Sequence, residues 1–180
     1  MKKSLFIFLF ALVISTVGYA QDYKPFQLYI GLGYAIPDGG GGILFDIEPA
    51  YRINDQIAVG LRYEAAVMAK NLGGGVEASA SGVSSYTLNA KYYLGTSSFR
   101  PYIGAGLGIY TMGTVEASSG GASADFGSKF GFYPRIGFDV GHFNVNLDYN
   151  IVPKYEENGA EVKNSYIGIR VGAFLFGGKN

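Results

Sequence analysis

The strongest constraint on the fold is an alternation of apolar and polar residues, with a period of two, in eight segments of the chain. One of the two alternating sets carries no charge at all: Leu28 and Leu32 belong to it in the first segment and Leu107 in the fifth, and Thr111 is its only polar member. A period of two indicates β-strands with two different faces. Hydrocarbon demands a charge-free face, because a Lys or Arg near the bilayer midplane costs about 2–4 kcal/mol. The sequence therefore predicts strands with one face towards lipid.

The eight segments have the lengths of strands that cross a membrane at a tilt. They cover residues 27–36, 43–52, 57–68, 85–94, 102–112, 130–140, 143–152 and 166–176. Short connections alternate with longer ones at 37–42, 69–84, 113–129 and 153–165, as in barrels with short turns on one side and long loops on the other. Since lipid cannot satisfy an open sheet edge, the first strand should pair with the last. The predicted fold is an all-β, eight-stranded antiparallel up-and-down transmembrane β-barrel.

Turn-forming and strand-breaking residues refine this prediction. Gly141 and His142 form a two-residue turn with Gly first, which suits a type II′ hairpin, and Asn54 serves the first short turn. Pro49 and Pro134 fall inside predicted strands, where each removes a backbone donor. We therefore expect a bulge or a strand end at both prolines.

The start of the chain has the features of a secretory signal peptide. Lys2 and Lys3 precede an apolar run from Leu5 to Val17, which is too short for a bilayer-spanning helix, and small residues precede a cut after Ala20. The alternative is an uncleaved anchor. We predict a signal peptide at 1–20 and one barrel domain at 21–180. The chain has no Cys, so an exported protein of this sequence is not stabilised by disulfides and is not a lipoprotein.

The second alternating set is predicted to face the barrel interior, and its charges are balanced. It holds five acidic and five basic residues: Asp46, Glu48, Glu64, Asp139 and Asp148, with Arg52, Arg62, Lys91, Arg135 and Arg170. Eight strands enclose a space that side chains can fill, and a buried charge must be paired. Glycines in the same set leave room for Tyr29, Tyr93, Tyr102, Tyr110 and Tyr133. The sequence therefore predicts a packed polar interior with an ion-pair network.

Little in the sequence indicates catalysis or a cofactor. His142 is the only histidine and lies in a turn with no partner nearby, and Asp46 and Glu48 suit ion pairs with Arg52, Arg62 or Arg170 better than acid–base catalysis. The acidic residues of the predicted loops have no calcium-loop spacing; they are Glu77, Glu116, Asp125, Glu156, Glu157 and Glu161. Without Lys2 and Lys3 the acidic residues outnumber the basic ones, which argues against nucleic acid. We expect no enzyme activity, no cofactor and no metal.

One stretch carries a resemblance to a known family. Residues 92–110 read Tyr-Tyr-Leu-Gly-Thr-Ser-Ser-Phe-Arg-Pro-Tyr-Ile-Gly-Ala-Gly-Leu-Gly-Ile-Tyr, and 134–150 resemble a penultimate hairpin. The chain resembles the small outer-membrane β-barrels that include OmpX, OmpW, the OmpA transmembrane domain and "porin family" proteins of Bacteroidetes. This resemblance implies a monomer in the Gram-negative outer membrane that is inserted by the barrel-insertion machinery. Members usually end on an outward aromatic residue, whereas the parity of Phe176 predicts an inward side chain.

Four functional hypotheses follow. The first is a non-catalytic barrel that supports the membrane or binds an extracellular ligand through its loops. The second is a narrow porin-like conduit for small solutes, which the resemblance also implies. A soluble exported barrel of lipocalin type and a lipid-modifying enzyme are the third and fourth. The tetrapeptide Val-Glu-Ala-Ser, at 76–79 and 115–118, indicates either hairpins that continue above the membrane or coincidence in biased sequence.

Overall fold

A computed structural model describes residues 23–70, 79–115, 127–157, 160–162 and 164–179, which contain only β-strands as regular elements. In chain order the strands are β1 (Tyr23–Pro37), β2 (Gly40–Arg52), β3 (Ile57–Lys70), β4 (Ser79–Tyr93), β5 (Phe99–Val115), β6 (Ser128–Val140), β7 (Phe143–Asn150), β8 (Tyr155–Glu157), β9 (Ala160–Val162) and β10 (Tyr166–Lys179). The predicted signal peptide lies outside the described residues.

Eight of these strands close into one barrel. Its order is β1-β10-β7-β6-β5-β4-β3-β2, and every pairing is antiparallel. Consecutive strands are neighbours, and β1 pairs with β10 to close the sheet, which leaves no open edge. The predicted fold class is confirmed. In the described part of the chain no helix is both long and apolar enough to span a bilayer.

The two faces of the barrel are the two sets that the sequence distinguishes. Leu61 and Leu107 point outwards with 61% and 51% of their surface exposed, whereas Arg62 and Asp148 are buried inside. A water-soluble barrel has the opposite arrangement, with apolar residues inside. The structure therefore excludes the lipocalin-type hypothesis and agrees with a lipid-facing exterior.

Aromatic side chains form two tiers on the outer face. The tier near the long loops contains Tyr34, Phe45, Tyr86, Phe132 and Tyr149, all exposed. At the opposite end Tyr92 and Phe143 are exposed, and Tyr51 and Phe138 lie in edge or tilted contact with Phe26 and Phe99. Such tiers mark the two membrane interfaces of transmembrane barrels.

Several strands are longer than predicted, and one predicted loop is wrong. The predicted loop 37–42 is a two-residue turn of Asp38 and Gly39, with a φ of 76° at Gly39. Asp-Gly suits the positive φ values of a tight hairpin turn. The β3–β4 ladder continues to the pair Lys70–Ser79, beyond the point where the alternation ends. The predicted last loop contains the unpredicted hairpin β8–β9, and most of both Val-Glu-Ala-Ser copies lie outside the described residues.

The expectation of a bulge or strand end at the two prolines is wrong. Pro49 pairs with Leu28 in β1, and Pro134 pairs with Ala105 in β5, both inside continuous strands. On the other side of each proline the ladder is interrupted and then resumes in the same register. A proline lacks one donor, so only one of its two neighbouring ladders is interrupted.

The predicted inward orientation of Phe176 is also wrong, because β10 contains a bulge. Tyr29 pairs with Phe174 and the adjacent Leu28 pairs with Phe176, so Leu175 is the extra residue. Phe174 is buried in the interior, and both Leu175 and Phe176 are exposed on the outer face. The last aromatic residue of β10 therefore faces outwards.

Candidate functional site

The candidate site is the charged interior of the barrel. We name the ten predicted residues the lumen network, and each is at most 4% exposed: Asp46, Glu48, Arg52, Arg62, Glu64, Lys91, Arg135, Asp139, Asp148 and Arg170. Their alternate positions on the strands direct them inwards. Glycines provide the space that these side chains and the tyrosines occupy; a Cβ on Gly106, for example, would overlap the ring of Tyr133.

Asp148 on β7 is the hub of the network. Its Oδ2 lies 2.6 Å from Arg62 Nη1 and 3.7 Å from Arg135 Nε, and it also accepts a hydrogen bond from Arg170. Asn150 adds a polar contact, since Arg62 Nη2 donates to its Oδ1 at 3.1 Å. One carboxylate therefore joins guanidinium groups from β3, β6 and β10.

Glu64 and Asp46 complete the charges around Arg170. Arg170 Nη2 and the Tyr166 hydroxyl both donate hydrogen bonds to Glu64. Asp46 Oδ1 lies 3.6 Å from Arg170 Nε, an ion pair beyond hydrogen-bond distance. Arg62 Nη2 lies 3.6 Å from Glu64 Oε2, so both arginines share this carboxylate.

Glu48 on β2 extends the network to basic residues of β4 and β6. Its two oxygens lie 2.5 Å from Lys91 Nζ and 2.8 Å from Arg135 Nη1. Arg135 also contacts Asp148, so it connects the two groups. Glu48 is thus paired with Lys91 and Arg135, and Asp46 with Arg170. The residues that these ion pairs connect comprise equal numbers of acidic and basic side chains, as a buried site requires. They are Asp46, Glu48, Glu64 and Asp148, with Arg62, Lys91, Arg135 and Arg170.

Two members of the lumen network, Arg52 and Asp139, lie apart from these connected ion pairs, in a cluster at the short-turn end of the barrel. Arg100 Nη2 donates to Asp139 Oδ2 at 3.2 Å, and the Arg52 and Arg100 guanidinium carbons lie 4.4 and 5.0 Å from the ring centroid of Tyr93. Arg52 also donates to the backbone oxygen of Asp55 at 3.3 Å. The structure does not place Arg52 beside Asp46 or Glu48 as a neutralising partner; Lys91, Arg135 and Arg170 occupy those positions.

Sequence reasoning missed Arg100 and the interior asparagines. The predicted strand 102–112 leaves Arg100 in the connection before it, but β5 begins at Phe99 and gives Arg100 the inward parity of Tyr102. Asn144 Nδ2 donates to Asp139 Oδ1 at 2.6 Å and to the Tyr102 hydroxyl at 3.0 Å. The alternation also predicts that Asn144 points inwards. The search for interior residues relied on charge, however, and an asparagine carries none.

A second feature that the sequence analysis missed is an apolar cluster inside the barrel near the long loops. We name it the apolar cap, and it consists of Ala35, Leu44, Ala66, Met68, Val83, Tyr110, Val152 and Tyr166. All are buried, and Met112 packs against them. Two members also reach the polar residues: Tyr110 donates to Asn150 Oδ1 at 2.8 Å and Tyr166 donates to Glu64. The cap therefore lies directly on the lumen network.

The arrangement can hold charges in fixed pairs, but it presents no metal centre. Among the described residues no group of three or more His, Cys, Asp or Glu side chains lies close enough to hold a metal ion. His142 lies in the β6–β7 turn, where Nδ1 lies 3.1 Å from the backbone oxygen of Phe174. The loop acids Glu77, Glu116 and Asp125 lie outside the described residues.

Comparison with protein families decides the membership of this chain. The family model described as "Outer membrane protein beta-barrel domain" matches residues 6–173. The chain belongs to the outer-membrane protein β-barrel family. As a member it is a Gram-negative outer-membrane barrel, and its uncharged outer face lies in membrane lipid.

Solved structures give the same fold for this outer-membrane barrel. Neisserial surface protein A aligns with a TM-score of 0.62 and 17% identity over 88% of this chain and 99% of that one. OprG of Pseudomonas aeruginosa gives 0.50 and 19% over 90% and 99%, and Ail of Yersinia pestis gives 0.53 and 12% over 83% and 99%. At these identities the likeness shows the fold alone. The search of curated proteins found no match.

Proposed function

We propose that the protein is a non-catalytic integral outer-membrane barrel with a sealed interior, which acts through membrane support or through its extracellular loops. The observation that carries this proposal is that two layers of side chains, one charged and one apolar, fill the interior of the barrel. The connected ion pairs around Asp148 occupy the middle, and the apolar cap lies above them. Because both layers fill the interior, the lipid-facing outer surface and the loops are the parts of the protein that are left for function.

The lumen network opposes passage because Asp148, Glu64 and Glu48 are already paired with basic side chains of the network. An ion that entered would have to compete with contacts such as Glu48–Lys91 at 2.5 Å and Arg62–Asp148 at 2.6 Å. The apolar cap adds a second barrier, since a narrow hydrophobic constriction excludes water and with it any hydrated ion. Both features support a closed interior.

The loops are the part of the protein that is left for recognition. The hairpin β8–β9 projects from the end opposite the short turns, where loops of outer-membrane barrels face the outside. The structural relative Neisserial surface protein A is named for its place at the cell surface. We propose an extracellular ligand for these loops, no partnership with nucleic acid, and a monomer delivered by the barrel-insertion machinery.

The second candidate function is a narrow conduit for small solutes, and one observation favours it. The buried side chains of Gln27, Ser85 and Asn89 have polar atoms without a hydrogen-bond partner in the described part of the chain. Pathways for water and polar solutes are lined by such donors and acceptors. This candidate needs a continuous gap past both the lumen network and the cap.

Conductance in planar bilayers separates the two candidates. We expect no steady current for the wild type, and a current for a Leu44→Ala/Met68→Ala/Arg135→Ala variant that thins the cap and removes one side chain from the network. The matched control is Leu107→Ala on the outer face, which should stay closed. A stable wild-type current that changes with Arg135→Ala would overturn the sealed interior.

Two further measurements test the rest of the proposal. A folded monomer should migrate differently on SDS gels before and after boiling, and sedimentation in detergent should give one chain per particle. Lipid-turnover assays should yield no product. A lipid-turnover activity that remains with the purified protein would contradict the non-catalytic assignment.

A further inference from the structure

The methionines of the chain are concentrated at the apolar cap. Apart from the initial Met1 the sequence contains two, Met68 and Met112. Met68 is a member of the cap, and Met112 packs against it. The chain has neither Cys nor Trp, so these two thioethers are the side chains that a peroxide oxidises most readily. Oxidation by peroxide is therefore directed at one place, the inner wall of the barrel near the long loops.

The strand register brings the two methionines to neighbouring positions on either side of β4. Met68 on β3 is opposite Ser81, and Met112 on β5 is opposite Val83. Ser81 and Val83 are two residues apart, so their side chains point to the same face of the sheet. Val83 is a buried member of the cap, which places both methionines on the inner face of the wall. A polar atom added to either thioether therefore enters the same apolar cluster.

The two thioethers differ in their access to solvent. Met68 is 2% exposed, and a Cβ on Gly42 of the neighbouring strand would lie 2.8 Å from its Cγ, so the Met68 side chain fills the space that this glycine leaves. Met112 is half-buried and lies one residue beyond Thr111–Ser128, the last described pair of the β5–β6 ladder. A solute at the outer end of the barrel therefore reaches Met112 directly, and Met68 only when the cap opens.

We propose that Met112 is a site of oxidation by hydrogen peroxide, and that its sulfoxide loosens the apolar cap and exposes Met68 to the same reaction. A lone pair of the Met112 sulfur attacks one peroxide oxygen, so that an S–O bond forms while the O–O bond breaks. The leaving hydroxide takes up the proton of the transferred oxygen. The sulfur is thereby oxidised to the sulfoxide, and the peroxide is reduced to water.

The side chains of the cap do not suit a sulfoxide. They are apolar except for the hydroxyls of Tyr110 and Tyr166, and these two hydroxyls already donate to Asn150 and Glu64. A buried sulfoxide oxygen without a donor is unfavourable, so the oxidised Met112 side chain turns towards water and leaves the cap. Enzymatic reduction of the sulfoxide regenerates the thioether, so the change is reversible.

Timed oxidation of the folded barrel tests the order of the two reactions. The protein in lipid vesicles is treated with hydrogen peroxide, and peptide mass spectrometry follows the oxygen that each methionine gains. We expect Met112 to be oxidised at least about tenfold faster than Met68, because a buried group reacts only through local opening. In the urea-unfolded chain, which is the control, both methionines should react at the same rate. Equal rates in the folded protein would overturn the proposal.

Two variants of Met112 test whether its sulfoxide exposes Met68. Met112→Leu keeps an apolar side chain that peroxide does not oxidise, so Met68 should react more slowly than in the wild type. Met112→Gln imitates the polar sulfoxide, so Met68 should react faster than in Met112→Leu from the first time point. A Met68 rate in Met112→Leu equal to that of the wild type would overturn the proposal, even if Met112→Gln does not fold. The sealed interior is tested separately, by the conductance of the unoxidised protein.

Discussion

Replacement of Asp148 by Asn tests the lumen network at its hub. The substitution keeps the shape of the side chain and removes one negative charge from among Arg62, Arg135 and Arg170. A carboxylate attracts a charge 4 Å away by about 4 kcal/mol at an effective dielectric constant of 20. Desolvation offsets much of this, so loss of one partner of a buried pair costs about 3–5 kcal/mol. We expect Asp148→Asn to lower the free energy of unfolding by this amount.

The assay is urea unfolding in lipid vesicles, followed by circular dichroism and by the boiled and unboiled mobility on SDS gels. The double variant Asp148→Asn/Arg62→Met restores charge balance, so it should be less destabilised than the sum of its single variants. Asp38→Asn on the exposed β1–β2 turn is the charge-matched control and should change stability by less than about 0.5 kcal/mol. A loss below about 1 kcal/mol for Asp148→Asn, or strict additivity in the double variant, would refute the reasoning.

Two local predictions follow from the backbone. Gly108→Val should lower the free energy of unfolding by about 1–3 kcal/mol, because a Cβ there would meet the backbone of Tyr86 and Thr87 on β4. The matched control is Leu107→Val on the outer face, which should have little effect. Equal refolding yields for the two variants would contradict this prediction. His142→Ala should remove the Nδ1 contact to Phe174 and keep the backbone bond, so amide exchange at the β10 bulge should accelerate by the equivalent of about 1 kcal/mol. Unchanged exchange there would show that the ring contributes nothing.

The faces of the strands could be predicted because a charge is costly on one side only. Leu61 is outward and its sequence neighbour Arg62 is inward. Leu147 and Asp148 are related in the same way. Which residues pair with each other inside was less accessible. Asp148 reaches Arg62, distant in sequence, only because the barrel closes, and no local pattern reports such a distance.

The errors have local physical causes. The bulge at Leu175 reverses the parity of Phe176, and a period-two pattern cannot show where an extra residue is inserted. The predicted segments 85–94 and 102–112 leave Arg100 in the turn between them, whereas β5 begins at Phe99. The apolar cap has the inward parity, but aliphatic inward residues such as Leu44 look like members of an ordinary core.

The central claim is that the uncharged face lies in hydrocarbon while the charges are sealed inside, and spin labelling tests it most directly. The chain has no Cys, so single cysteines at Leu61, Leu107 and the turn residue Ser97 can be labelled without background. Labels at Leu61 and Leu107 should be relaxed by oxygen dissolved in the bilayer and shielded from a water-soluble nickel reagent, and the label at Ser97 should show the reverse. Equal access of the nickel reagent at Leu107 and Ser97 would contradict the account.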